Sequence, residues 1–184
     1  MIIQNHRIKD VRFVESPNYD DRPDVDDISL IIIHNISLPP GEFGGPHIEQ
    51  LFTNQLDAEE HDYFKEISHL RVSAHVLIRR DGELIQFVDF NKAAWHAGVS
   101  NYKSRETCNH FSIGIELEGT DDREFESIQY KVLAEMIPAL IKSYPKLSIE
   151  NIAGHSDVAP GRKTDPGPFF NWQKLEENMK ENEE

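Results

Sequence analysis

Residues 29–33 read SLIII, and after Ser29 nothing in them can face water. Four apolar residues in a row, three of them β-branched, form a short buried strand rather than one stripe of a helix. The run ends in His34 and Asn35. Pro39, Pro40, Gly41, Gly44, Gly45 and Pro46 follow, so the strand opens into a long loop. Within that loop Ile48, Leu51 and Phe52 sit at helical spacing and predict a short helix.

Other stretches alternate with period two. From residue 70, Leu70, Val72, Ala74, Val76 and Ile78 fall on one face and Arg71, Ser73 and His75 on the other. Asp81-Gly82 predicts a hairpin turn into a strand over 83–88. Phe111, Ile113, Ile115 and Leu117 alternate with Ser112, Gly114, Glu116 and Glu118. Residues 127–143 predict an amphipathic helix with a stripe of Val132, Leu133, Met136, Ile137, Leu140 and Ile141; Pro138 inside it predicts a kink or break. A short strand over 148–153, a Pro/Gly-rich loop over 154–168 and a terminal helix over 171–179 complete the pattern. The expected class is α+β: a central mixed sheet flanked by helices, in one domain spanning residues 1–184. The segment 39–69 is expected to be a mobile loop, and the acidic tail at about 177–184 to be frayed.

Net charge is −14, with acid concentrated at 20–27 and 176–184 and no basic cluster beyond Arg79-Arg80. Such a chain repels nucleic acid and anionic membranes. No stretch approaches the roughly 18 apolar residues needed to cross a bilayer. The N-terminus has no basic start, apolar run and small-residue cleavage site, so the expected compartment is the cytoplasm. The single cysteine, Cys108, suits a reducing environment. No coiled-coil heptad is present, and a monomer is expected.

Chemistry has to be sought among nine histidines. His34 stands at a strand end, where sites form. His155 opens the loop GHSDVAPGRKTDPGP at 154–168, which holds two aspartates, a lysine and an arginine between prolines. Two imidazoles and a carboxylate suit zinc and leave a fourth position for water. Two neutral histidines and one aspartate leave a net positive centre, which polarises a carbonyl and acidifies bound water. Spacing alone leaves Asp157 and Asp165 as rival carboxylates and His75 and His96 as rival ligands.

Five segments sharpen this: IIIHNISLPPG at 31–41, LRVSAH at 70–75, AWHAGVS at 94–100, SIGIELEGT at 112–120 and the loop 154–168. In this order they resemble the type-2 amidase family of cell-wall enzymes, which also includes phage lysozymes of amidase type and peptidoglycan recognition proteins. The resemblance runs from about residue 29 to 172. It implies zinc held by His34, His155 and Asp165. The third ligand can be cysteine in the wider family, but Cys108 does not stand at that position. Glu116 matches the catalytic glutamate; its strand face is opposite the apolar residues, and Gly114 on that face leaves room for a ligand. Lys163 lies two residues before Asp165, so in extended chain it points toward the metal face and its ammonium can stabilise an oxyanion.

Candidate substrate contacts are Asn35, Arg71, Trp95 and Arg162, with Tyr63 as a cap on the cleft. The implied reaction is hydrolysis of the amide between the lactyl group of N-acetylmuramic acid, or its anhydro form, and L-alanine of the stem peptide. The missing signal sequence favours the intracellular recycling branch, with an anhydromuropeptide as partner. Its implied downstream role is removal of muropeptides that signal β-lactamase induction. A recognition module of this fold without catalysis lacks one or more zinc ligands, whereas here all are present. A zinc peptidase of other specificity differs only at the substrate end.

Overall fold

The structure, a computed structural model, describes residues 1–182. Its centre is a six-stranded sheet of β1 (Arg12–Phe13), β2 (Leu30–Ile36), β3 (Val76–Ile78), β4 (Leu84–Gln86), β5 (Ser112–Glu118) and β6 (Ile152–Gly154). The strand order is β6-β2-β5-β3-β4-β1. β6, β2, β5 and β3 run parallel; the β3–β4 hairpin is antiparallel; β1 joins β4 in parallel. The expected mixed sheet is therefore present.

The apolar run becomes β2 because both faces of the sheet are covered. Ile31 and Ile33, with Ile113, Ile115 and Leu117 of β5, pack on α3 (Ser127–Ser143) through Leu133, Met136, Ile137 and Leu140. Leu30 and Ile32 face the other way, against Ala97, Phe111 and Val158. Further along that second face, Leu77 and Ile85 meet α1 (His47–Phe52) and Phe64 of α2 (Asp62–Ile67). Every residue of β5 is buried, so its polar row faces a covered interior rather than solvent.

Several expectations are corrected. The strand expected from Leu70 begins only at Val76. Before it, Ser73 Oγ donates to Asn18 O and Ser73 N to Trp95 O, so loop contacts replace a strand ladder. Pro138 does not break α3, which runs 17 residues. The one hydrogen bond Pro138 removes is outweighed by burial of Met136, Ile137 and Leu140 on the sheet. The strand expected at 148–153 is a 3₁₀ turn, Ile149–Asn151, followed by β6. The loop after it opens with a single helical turn, α4 (His155–Val158).

The final helix, α5 (Trp172–Glu181), packs Leu175 against the α3 side of the sheet and takes in most of the expected acidic tail. The end of that tail, Glu183 and Glu184, lies outside the described residues. Short ladders, Ile3–Gln4 with Arg7–Ile8 and Tyr19–Asp21 with Lys92–Ala94, are too brief to show in the sequence pattern. Among the described residues no helix is long and apolar enough to cross a membrane.

Candidate functional site

Three neighbouring parallel strands end at one edge of the sheet and bring the site together there. In the β2–β5 register His34 pairs with Glu116. On the other side of β2, Gly154 pairs with Ile33, so the next residue, His155, starts α4 beside His34. Asp165 arrives on the following loop. That loop is held by Ser156 N donating to Asp165 O at 3.0 Å and by Asn35 Nδ2 donating to Pro166 O at 3.0 Å.

The result is a triangle of potential ligand atoms. His34 Nδ1 lies 3.0 Å from His155 Nδ1 and 3.0 Å from Asp165 Oδ2, and His155 Nδ1 lies 3.1 Å from Asp165 Oδ2. Both imidazoles are buried and the carboxylate is half-buried. His155 Nε2 sits 3.1 Å from Ala97 O, and a carbonyl only accepts. The proton of neutral His155 is therefore on Nε2, and its Nδ1 presents a lone pair to the triangle. Burial pushes His34 down to about 4, so it is uncharged at neutral pH. Burial would raise the Asp165 carboxyl, but the two imidazoles beside it outweigh that and hold it well below the usual carboxylate range. A cation reconciles such converging acceptors. Zinc bonds of 2.0–2.1 Å in a tetrahedron put ligand atoms about 3.3 Å apart, close to this spacing. These three residues could hold a divalent metal.

Glu116 stands next to the triangle with its Oε2 buried and without a hydrogen-bond partner among the described residues. Burial raises its carboxyl well above the ordinary range; Asp165 adds to this, and the Lys163 ammonium pulls the other way. These groups line a cleft of about 350 Å³. Its lining also includes an apolar shelf of Ile36, Leu38, Phe52, Ile67 and Val72, together with Tyr63 and Trp95. One cleft thus combines a triangle that could hold a metal, a carboxyl of raised proton affinity, an ammonium and an apolar shelf. That combination suits addition of water to a carbonyl in a molecule with an apolar part.

The profile of the N-acetylmuramoyl-L-alanine amidase family matches residues 24–168. The chain belongs to this amidase family. It is 59% identical, over 90% of its length and 88% of the relative's, to the 1,6-anhydro-N-acetylmuramyl-L-alanine amidase AmpD of Salmonella typhimurium. A crystal structure of a selenomethionine AmpD derivative superposes with a TM-score of 0.94 at 55% identity, over 97% of this chain and 99% of that one. The Escherichia coli amidase AmiD, solved in complex with the substrate anhydro-N-acetylmuramic acid-L-Ala-D-gamma-Glu-L-Lys, superposes with a TM-score of 0.60 at 28% identity, over 83% of this chain and 57% of that one.

In this amidase the rival ligands have other partners. Asp157 Oδ2 accepts from Gly154 N at 2.7 Å and caps α4. His75 Nδ1 accepts from Gly114 N at 3.0 Å, and its Nε2 lies 2.9 Å from Lys92 O, so it packs the sheet. His96 touches His34 without joining the triangle. The space over Gly114 is filled by the His96 ring rather than left for a ligand.

Asn35 and Trp95 line the cleft; Trp95 Nε1 donates to Asp20 Oδ2 at 2.7 Å. Arg71 and Arg162 do not line it. Arg71 lies between Leu70 and Val72 on the outward side and donates to the carbonyls of His69 and Leu70 at 3.3 Å. Arg162 donates to Val99 O at 2.8 Å, tying its loop to residues 97–99. Glu118 shares a strand face with Glu116 but is turned to Arg79 Nη1 at 3.0 Å and Gly44 N at 2.7 Å. The sequence singles out His96 as a rival ligand; in the structure it lines the cleft, and Gly114 leaves the room that its ring fills.

Proposed function

We propose that this amidase hydrolyses the amide between the lactyl group of anhydro-N-acetylmuramic acid and L-alanine of the stem peptide, as a monomer, in cytoplasmic muropeptide recycling. Zinc would be held by His34, His155 and Asp165. The observation that carries this reading is the meeting of three acceptor atoms beside the buried Glu116 oxygen, which has no partner among the described residues. Anhydro specificity is supported by the name of the Salmonella typhimurium relative and by the ligand in the AmiD complex. The lone buried Cys108 suits a reducing compartment. Removal of stem peptides would also withdraw the muropeptides that signal β-lactamase induction.

Bound zinc would supply Lewis acidity, polarising the lactyl carbonyl and acidifying water. The chain's own groups do the rest. Glu116 takes the proton of the water that adds to the carbonyl carbon, holds it on its buried carboxyl, and returns it to the alanine nitrogen as the C–N bond breaks. Its raised proton affinity fits the second half of that cycle. The Lys163 ammonium at the cleft stabilises the oxyanion of the tetrahedral state. The apolar shelf receives the sugar, Trp95 lies against its ring, and Asn35 and the loop 159–168 fix the peptide side. Residues 39–69 supply Phe52, Tyr63 and Ile67 at the cleft and, in this reading, are the mobile part of a single domain.

The test is release of free stem peptide from one defined anhydromuropeptide, followed by mass spectrometry. Release is expected to stop in excess chelator and return with zinc. No release by metal-replete protein would sink the proposal, and full activity in chelator would remove the metal from it.

A further inference from the structure

Three buried groups form a line that leads away from the triangle. His34 Nε2 lies 2.9 Å from His96 Nδ1, and His96 Nε2 lies 3.2 Å from Ser112 Oγ. The His96 ring stands edge-on to His34, with centroids 5.0 Å apart. Gly114 of β5 lies beneath it: a Cβ there would come within 2.3 Å of His96 Cγ. The ring is also held by its backbone, since Asn109 Oδ1 accepts from His96 N at 3.2 Å and from Ala97 N at 2.8 Å. His96 is therefore built into its place rather than resting there.

Each imidazole has one donor and one acceptor nitrogen when neutral. His155 has its proton committed to Ala97 O, whereas among the described residues the partner of His34 Nε2 is another imidazole, His96 Nδ1. If His34 kept its proton on Nδ1, that proton would point into the triangle and block metal. If His96 Nδ1 accepts a hydrogen bond from His34 Nε2–H, His34 Nδ1 is left as a lone pair, and His96 donates in turn from Nε2 to Ser112 Oγ.

We propose that His96 is a positioning residue whose Nδ1 accepts a hydrogen bond from His34 Nε2–H, and so fixes the tautomer in which His34 Nδ1 can bind metal, with Ser112 as the terminal acceptor. This rests on the metal reading above. Outer partners of metal-binding histidines fix the ring and its tautomer, and their loss costs roughly 10–100-fold in metal affinity.

The experiment is zinc affinity by competition with a chromophoric chelator on the full chain, together with the cobalt(II) d–d spectrum. His96→Leu, which has no acceptor, is expected to bind zinc roughly 10–100-fold more weakly and to alter the cobalt spectrum. His96→Asn, whose Oδ1 can accept in place of Nδ1, is expected to recover most of the affinity, which a purely space-filling role would not explain. Should His96→Leu fail to fold, ¹⁵N imidazole spectra of the zinc-loaded wild type read the same point: His34 protonated at Nε2 and His96 at Nε2. Unchanged zinc affinity in folded His96→Leu, or a His96 protonated at Nδ1 in the zinc-loaded protein, would overturn the role. Failure of the wild type to bind zinc would instead remove the metal reading on which it rests.

Discussion

Glu116 and Gly114 are two residues apart on one strand face, and they separate two requirements of the site. Glu116 has a buried oxygen with no hydrogen-bond partner among the described residues and is not a member of the triangle. Glu116→Gln is expected to keep zinc and lose turnover by roughly 10²–10⁴-fold, as for loss of a general base; metal analysis and stem-peptide release check both halves. Gly114→Ala acts the other way. Its new methyl would push on the His96 ring, costing about 1–3 kcal/mol of overpacking. It is expected to lower both urea stability and zinc affinity. Gly119→Ala, whose methyl would meet Phe125 at 2.4 Å, serves as the comparison and is expected to lose stability alone. At this scale the sequence shows residue types well and neighbours poorly. His34, His155 and Asp165 could be picked out because ordered motifs surround them. The spare volume at Gly114 was legible, but its occupant comes from a distant loop, and no local pattern reports that.

Elements were legible where burial or periodicity was strong. β2 and α3 stand out because one opens on four apolar residues in a row and the other has a clear stripe. The segment before β3 alternates like a strand, yet Val72 O accepts from Asn18 Nδ2 and Ser73 N donates to Trp95 O, partners that sequence spacing does not reveal. The end of β5 gives a second case. Glu118 alternates with the apolar row as Glu116 does, but it is a support for neighbouring loops. It pairs with buried Arg79 and accepts from Gly44 N and Arg80 N, tying the loop at 39–46 to the sheet. Arg79 in turn reaches Glu49 of α1. Glu118→Ala is expected to cost about 3 kcal/mol in urea unfolding, because a buried guanidinium loses a partner. Zinc affinity is expected to stay unchanged in that variant. A stability loss accompanied by loss of metal would mean that the two glutamates do not act separately.

For the whole molecule, the buried histidines set an acid limit. Burial, with Arg22 adding to it, pushes His75 down to about 3, and burial lowers His34 to about 4. Their unfolded values are near 6.5, so between those limits the unfolded chain binds protons that the native state refuses. Stability is then fully present above about pH 6.5 and falls as pH drops, by roughly 1.4 kcal/mol per pH unit for each such proton. Urea midpoints of metal-free protein at pH 7, 6 and 5 measure this, and a flat profile would contradict neutral burial. The three strands that meet at the site also carry a consequence for assembly. His34 is 121 residues from His155 and 131 from Asp165 along the chain, and the strands that deliver the two histidines are paired side by side. Contacts of that separation close late, since loop-closure entropy opposes them until the rest of the sheet offers a template. Metal capture during refolding should therefore trail the recovery of helical signal, which makes zinc uptake a clock for the last step of folding.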